Sequence, residues 1–289
     1  MRVLVHERID PALLGELPPE VELVTDPTEP EVLVEPRDDL LRHLRTLPAL
    51  HTVLVMSAGT DWIEPHLPDG VTLANARGAR DAAVAEWVVA ATLAMQKRIL
   101  DQGRAKRWEA GAILPDVEGS TVVILGAGSI GEAVAARLEP FGVAIVRVAR
   151  TARDGVHGVD ELPDLLPRAD VLVVLAPLTR STRGLVDARM LKLLPDDALV
   201  VNAGRGKVID TDALVAEVKA KRLRAALDVV DPEPLPDDHP LWKLRGALVS
   251  PHVSGDSQRA EEAAARLMGE QLRRLAWGAP LLNVVDRGG

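Results

Sequence analysis

The run Thr121-Val122-Val123-Ile124-Leu125-Gly126-Ala127-Gly128-Ser129-Ile130-Gly131 decides the fold. Its first five residues are apolar and rich in β-branched side chains, which predicts a buried strand, and a helical pattern opens at Ser129 and continues to Leu138. Between strand and helix stands G-x-G-x-x-G. Gly126 permits a tight turn, Gly128 lets the backbone approach a pyrophosphate, and Gly131 allows the helix to pack closely on the strand. At Ser129 and Ile130 the first helical turn offers unsatisfied N–H groups to an anion. A glycine turn alone says little, but one placed directly after a strand and opening a helix predicts a dinucleotide site.

Working outward, Val143–Val148 predicts a second strand and completes a βαβ unit. Strands over Val171–Leu175, Leu199–Val201 and Ala225–Val229 continue the series, and strands alternating with helices imply a parallel sheet. Towards the N-terminus, Val3–Val5, Val21–Val24 and Val53–Met56 repeat the alternation. Ala82–Lys97 predicts a helix with Asp81 as N-cap, apolar on most faces as a helix buried between layers would be. Periodicity is lost over Asp101–Gly119, where Gly103, Gly111, Pro115 and Gly119 mark a boundary. Helix returns over Ala260–Trp277, and Leu281–Val285 is an apolar segment able to pair with the N-terminal part.

The expected fold class is therefore α/β, with two Rossmann-like parallel-sheet domains, one flavodoxin-like and one dinucleotide-binding, and an active site in the cleft between them. Residues 1–98 and 265–289 are expected to form a discontinuous substrate domain and residues 99–264 the dinucleotide-binding domain. Hinges are expected near Arg98 and Ala264.

Composition narrows the function. At 289 residues the chain exceeds the roughly 100–200 of an average domain, so two cores are expected. Aromatic residues make up only 2%, so the cores must be built from Leu, Val, Ala and Ile, and few rings remain to stack on bases. The formal net charge of −9, without a basic stripe, argues against a nucleic-acid partner and for small molecules. Without cysteine there can be no disulfide, thiolate ligand or cysteine nucleophile. The absence suits a reducing compartment, and a cytoplasmic location is expected. The opening Met1-Arg2-Val3-Leu4-Val5-His6 does not read as an export signal, and no run reaches the ~18 apolar residues of a membrane span.

Where NAD-binding folds carry an acid for the ribose 2′-OH, this chain reads Val148-Ala149-Arg150-Thr151-Ala152-Arg153. Arg150 and Arg153, helped by the Thr151 hydroxyl, can donate charge-assisted bonds to a 2′-phosphate, so NADP is the expected cofactor and NAD the alternative. Solvated loop arginines are the competing explanation.

Three further residues follow strands of the same sheet. Arg205 lies in Asn202-Ala203-Gly204-Arg205-Gly206, Glu233 in Asp231-Pro232-Glu233-Pro234-Leu235, and His252 in Ser250-Pro251-His252-Val253-Ser254-Gly255. Arginine can grip a carboxylate, glutamate can orient an imidazole, and histidine can move a proton, which is what reduction of a keto acid requires. His239, in a Pro/Asp-rich loop, is a weaker candidate for the proton donor. Neither H-E-x-x-H nor a dense carboxylate loop is present for a metal, and the G-x-S-x-G elbow is absent.

Taken in order, Gly126–Gly131, Ala176-Pro177-Leu178-Thr179, Asn202–Gly206, Ala226-Leu227-Asp228-Val229, Glu233-Pro234-Leu235 and Ser250-Pro251-His252 resemble the D-isomer-specific 2-hydroxyacid dehydrogenase family. Ser57-Ala58-Gly59-Thr60-Asp61 and Val84-Ala85-Glu86 are similar to its N-terminal signatures. The basic turn is nearest the NADP-dependent glyoxylate/hydroxypyruvate reductase branch. The resemblance implies that Arg205 binds the substrate carboxylate and polarises the carbonyl, while Glu233 pairs with His252. His252 then protonates the carbonyl oxygen as hydride reaches C2. It also implies cofactor contacts at Ala176, Pro177, Thr179 and Asp228, the last at the nicotinamide end, substrate contacts at Ala58 and Gly59, and a homodimer. Members that act on formate carry Gln where this chain has Glu233, which argues against formate. Arg77 and Arg80, beside Asn75, would add positive charge near the cleft. Phosphoglycerate-dehydrogenase-like activity with NAD and a dinucleotide-sensing, corepressor-like binding protein are the alternatives, since fold does not fix function.

Overall fold

Short β-branched runs bounded by turns become strands in both halves of the chain. The computed structural model describes residues 1–37, 39–108 and 113–287, so Gly111 lies outside the described residues. The chain splits into two compact units, Met1–Asp81 with Asp256–Gly289, and Ala82–Gly255. Numbered along the chain, the α-helices are α1 (Asp39–His43), α2 (Asp81–Gln96), α3 (Ile99–Gly103), α4 (Ser129–Leu138), α5 (Leu162–Leu165), α6 (Ala188–Leu193), α7 (Thr211–Lys219) and α8 (Gln258–Ala276).

The first unit is built on strands β1 (Arg2–Val5), β2 (Glu22–Val24), β3 (Val32–Val34), β4 (Thr52–Leu54) and β5 (Thr72–Ala74), all parallel, in the order β2-β1-β3-β4-β5. This is the flavodoxin-like order. One core holds Val3, Val32, Val34 and Leu54 against Ala264, Ala265, Met268 and Leu272 of α8. A second holds Leu33, Val53 and Leu73 with Leu44, Ile63 and Leu67. The segment after α8 returns to the edge of this sheet: Val284 forms an antiparallel bridge to Ala74, and the Val285 N–H donates to Leu73 at 2.8 Å.

The second unit carries β6 (Thr121–Leu125), β7 (Ala144–Ala149), β8 (His157–Gly158), β9 (Val171–Val174), β10 (Leu199–Asn202), β11 (Arg224–Leu227) and β12 (Ala247–Val249). Their order is β12-β11-β10-β9-β6-β7-β8, all parallel. Chain direction across the sheet reverses between β6 and β9, which makes the end of β6 the switch point where open α/β sheets bind ligands. Apolar residues cover both faces, as a fully parallel sheet requires.

α2 explains where the first division falls. Its residues Val84, Ala85, Val88, Ala91 and Met95 pack on Val122, Ile124, Val171 and Val173 of the second sheet, so the helix belongs to that unit rather than ending the first. The observed divisions lie at Asp81/Ala82 and Gly255/Asp256, against the sequence-based 98/99 and 264/265. Arg224, buried at the start of β11, ties the end of the helix down by donating to Met95 O at 2.8 Å and Gln96 Oε1 at 2.7 Å. Asp81 is the first helical residue rather than a cap, and its buried Oδ1 has no hydrogen-bond partner among the described residues.

Candidate active site

The glycine loop leaves β6 as the sequence predicts. Gly126 has φ 117°, and a Cβ there would stand 2.6 Å from the Leu175 carbonyl carbon, so no side chain fits. A Cβ at Gly128 would meet nothing within 4 Å. That open approach, at the start of a helix whose N-cap Gly128 provides no side-chain cap, is the space a pyrophosphate requires. Ala176, Pro177 and Thr179 follow β9, the neighbouring strand, and there the Thr182 hydroxyl donates to Pro177 O at 2.6 Å.

Past the end of β7, Arg150, Thr151 and Arg153 are all exposed. The Arg153 Nη2 donates to Ala127 O at 2.8 Å, placing its guanidinium directly beside the glycine loop. The turn is held by paired backbone bonds between Arg153 and Val156, at 2.9 and 2.8 Å. A dinucleotide on the loop fits this arrangement, with donors for an anionic ribose and no carboxylate in Val148–Arg153.

Arg205, Glu233 and His252 follow β10, β11 and β12, three adjacent strands. Neighbouring strands lie about 4.8 Å apart, so the three loops emerge within about 10 Å of one another. The Arg205 loop is shaped by Asn202, whose side chain donates to Arg205 O at 3.2 Å and accepts the Gly204 N–H at 3.1 Å. Gly206 lies against Val230, because a Cβ there would overlap the Val230 carbonyl and stand 2.8 Å from its Cα. Only a glycine brings the two loops this close.

His252 Nδ1 lies 2.5 Å from Glu233 Oε1, with both side chains partly exposed. His252 has φ 55°, the left-handed region, a conformation that costs a non-glycine residue roughly 1 kcal/mol or more. Its neighbours are held by Asp228. The Ser250 hydroxyl (2.6 Å) and the Val253 N–H (2.9 Å) donate to Asp228 Oδ1, and the Ser254 N–H (2.9 Å) donates to Oδ2. This bonding is not legible in the sequence, since no local spacing marks contacts 22 to 26 residues apart. His239 instead caps a short 3-10 turn, its Nδ1 accepting the Leu241 N–H.

In the first unit, Ser57–Gly59 follows β4. Ala58 O accepts from Asn75 Nδ2 at 2.8 Å, and Gly59 O accepts from the Ser57 hydroxyl at 2.8 Å and from Trp62 Nε1 at 3.2 Å. With the carbonyls engaged, the Ala58 and Gly59 N–H groups have no acceptor among the described residues. Arg77 is exposed, whereas Arg80 is committed to Met56 O, Asp256 and Glu261, so its charge is balanced locally.

Residues 87–254 match the family profile described as D-isomer specific 2-hydroxyacid dehydrogenase, NAD binding domain. The chain belongs to this family. Its members are NAD(P)-dependent oxidoreductases acting on CH–OH donors. Over 84% of this chain and 78% of the relative, it is 32% identical to a glyoxylate reductase of Aeropyrum pernix. A D-3-phosphoglycerate dehydrogenase of Methanocaldococcus jannaschii is also 32% identical, over 78% of this chain but 45% of the relative. Among solved structures, an NADPH-dependent glyoxylate/hydroxypyruvate reductase of Sinorhizobium meliloti, in complex with NADP and sulfate, superposes with a TM-score of 0.85 at 26% identity, covering 99% of this chain and 98% of that one. No helix among the described residues of this dehydrogenase is long and apolar enough to cross a membrane.

Proposed function

We propose that this dehydrogenase reduces a small 2-keto acid of the glyoxylate or hydroxypyruvate type to the D-2-hydroxy acid, with NADPH as the preferred cofactor. The observation that carries the reading is the His252–Glu233 pair, 2.5 Å apart, at the strand edge that also presents Arg205.

Arg205 takes the substrate carboxylate, for which a planar guanidinium is the fitting bidentate partner. With Nδ1 held on Glu233, His252 presents Nε2 and its proton to the carbonyl oxygen. The Glu233 carboxylate stabilises the imidazolium before the transfer and orients the ring during it. The bound nicotinamide supplies the hydride that reduces C2. In the reverse direction the neutral ring accepts the hydroxyl proton. Two arginines and one hydroxyl, Arg150, Arg153 and Thr151, support the preference for a 2′-phosphorylated cofactor, while Ala58 and Gly59 offer N–H donors suited to an anion.

The deciding experiment follows loss of nicotinamide absorbance with NADPH and NADH against glyoxylate, hydroxypyruvate, pyruvate, phenylpyruvate and 2-ketoglutarate. Turnover of one or two acids, faster with NADPH, is expected. Silence with every acid and both cofactors would overturn the reading in favour of a binding protein.

A further inference from the structure

We infer that Asn75, clamped by Asn283 of the C-terminal segment, is the positioning residue that aims the Gly59 N–H at the substrate anion. The inference rests on the function proposed above, in which the Ala58 and Gly59 N–H groups receive that anion.

In a trans peptide the C=O and N–H of one plane point in opposite directions, so a carbonyl held by a hydrogen bond fixes where the next residue's N–H points. The Ser57–Gly59 loop contains two such planes. Ser57 O accepts the Ala76 N–H at 3.0 Å, which turns the Ala58 N–H away from the chain that follows β5. Ala58 O accepts Asn75 Nδ2 at 2.8 Å, which does the same for the Gly59 N–H. The first bond joins backbone to backbone and is indifferent to the side chain. The second exists only because residue 75 carries an amide donor.

Asn75 is itself held. Its Oδ1 accepts the Arg77 N–H at 3.1 Å, which fixes the orientation of the amide. Its backbone N–H donates to Asn283 O at 3.1 Å, and Asn283 Nδ2 donates to Arg77 O at 3.0 Å and to Asn75 O at 3.4 Å. Asn283 lies 208 residues away in the chain and adopts the left-handed conformation, with φ 51°. Asparagine tolerates that region better than most residues, and the chain is anchored on both sides of it. Before it, buried Gln271 of α8 accepts the Leu282 N–H on Oε1 at 2.9 Å and donates from Nε2 to Leu282 O at 2.6 Å. After it, Val284 bridges to Ala74. The path from α8 through Asn283 and Asn75 to Gly59 lies wholly within the first unit.

The test is Asn75→Ala and Asn75→Asp, with kcat and KM read for the best 2-keto acid and NADPH affinity read by fluorescence. Both variants lose the donor to Ala58 O, while aspartate keeps the side chain's shape and its acceptor for the Arg77 N–H. An N–H bond to the substrate carboxylate is made alike in ground and transition states, so its loss appears in KM. A KM raised about 10-fold or more is expected in both, with kcat within about 3-fold and the NADPH Kd within about 2-fold. A merely structural role would lower the active fraction, and so kcat, at unchanged KM. That result, or a wild-type KM in Asn75→Asp, would overturn the proposal. Asn283→Gly keeps the left-handed backbone but removes the amide, and it carries the test if the Asn75 variants do not fold. Its KM should rise about 3-fold or more, an effect that disappears in the Asn75→Ala background, and an unchanged KM refutes the clamp. Should the wild type turn over no keto acid, the proposed function fails, and the Trp62 indole N–H still decides this point. It donates to Gly59 O and to the Ser57 hydroxyl, each at 3.2 Å, so its NMR resonance should move and exchange faster in Asn75→Ala. An unchanged resonance would refute the inference.

Discussion

Gly206→Ala is the most direct probe of how the catalytic loops are held. The added Cβ would stand 2.8 Å from Val230 Cα and overlap the Val230 carbonyl, where carbon atoms normally keep about 3.5–4.0 Å apart. Relief requires the two backbones to separate by roughly 1 Å, and both are buried main chain with no flexible side chain to yield. Gly206 follows Arg205 directly, and Val230 lies three residues before Glu233, so the separation falls between the arginine proposed to bind substrate and the carboxylate proposed to orient the histidine. Overpacking of this kind costs about 1–3 kcal/mol, which for a unit of this size lowers Tm by roughly 2–12 °C. A misplacement near 1 Å can cost about 100-fold in rate. The assay pairs thermal unfolding with kcat/KM and NADPH affinity. The expected outcome is a modest Tm loss, a drop in kcat/KM of about two orders of magnitude, and cofactor binding close to normal, because the glycine loop lies beyond β9. An alanine variant with wild-type kcat/KM would refute the claim that this close approach sets the geometry.

Other variants separate the roles further. Arg150→Asp should weaken NADPH binding by about 10-fold or more and leave NADH binding little changed, since it adds a carboxylate where a 2′-phosphate would sit; equal loss of both cofactors would count against the assignment. His252→Ala should keep NADPH affinity and remove the proton donor, lowering kcat by roughly 100-fold or more, and an active variant would sink the acid–base role. Arg224→Leu should lower stability by about 2–4 kcal/mol, read by denaturant unfolding, because it strands Met95 O, Gln96 and Asp197 without their buried donor. Burial holds this guanidinium below its ordinary pKa, yet its partners keep it charged, so the loss should be the same across neutral pH.

The second sheet was legible because most of its strands are short apolar runs, several of them closed by glycine, proline or asparagine. β6 and α4 fall at the residues expected, and β7, β9, β10 and β11 shift by one or two. β3, β5 and β8 were not anticipated: they are two or three residues long, whereas β2 and β4, equally short, lie in longer apolar runs, one beginning at Val21 and the other continuing to Met56. α2 was visible as a helix but apolar nearly all round, so its pattern could not say which sheet it covers; only the contacts of Val84, Val88 and Met95 decide that. Arg205, Glu233 and His252 were singled out from their places after strands, a local signal, and they do follow β10, β11 and β12. Asp228 carried no such signal for its hold on the histidine loop, because its partners lie a whole crossover away in the chain.

The bond from Arg153 to the Ala127 carbonyl bears on redesign. The turn that would discriminate between cofactors and the loop that would carry their shared phosphates are one mechanical part, not two. Replacing the arginine to favour NAD would also remove a strut from the glycine loop, so a specificity swap made at that residue alone should weaken both cofactors. A successful exchange would have to restore the lost donor to Ala127 from elsewhere in the turn.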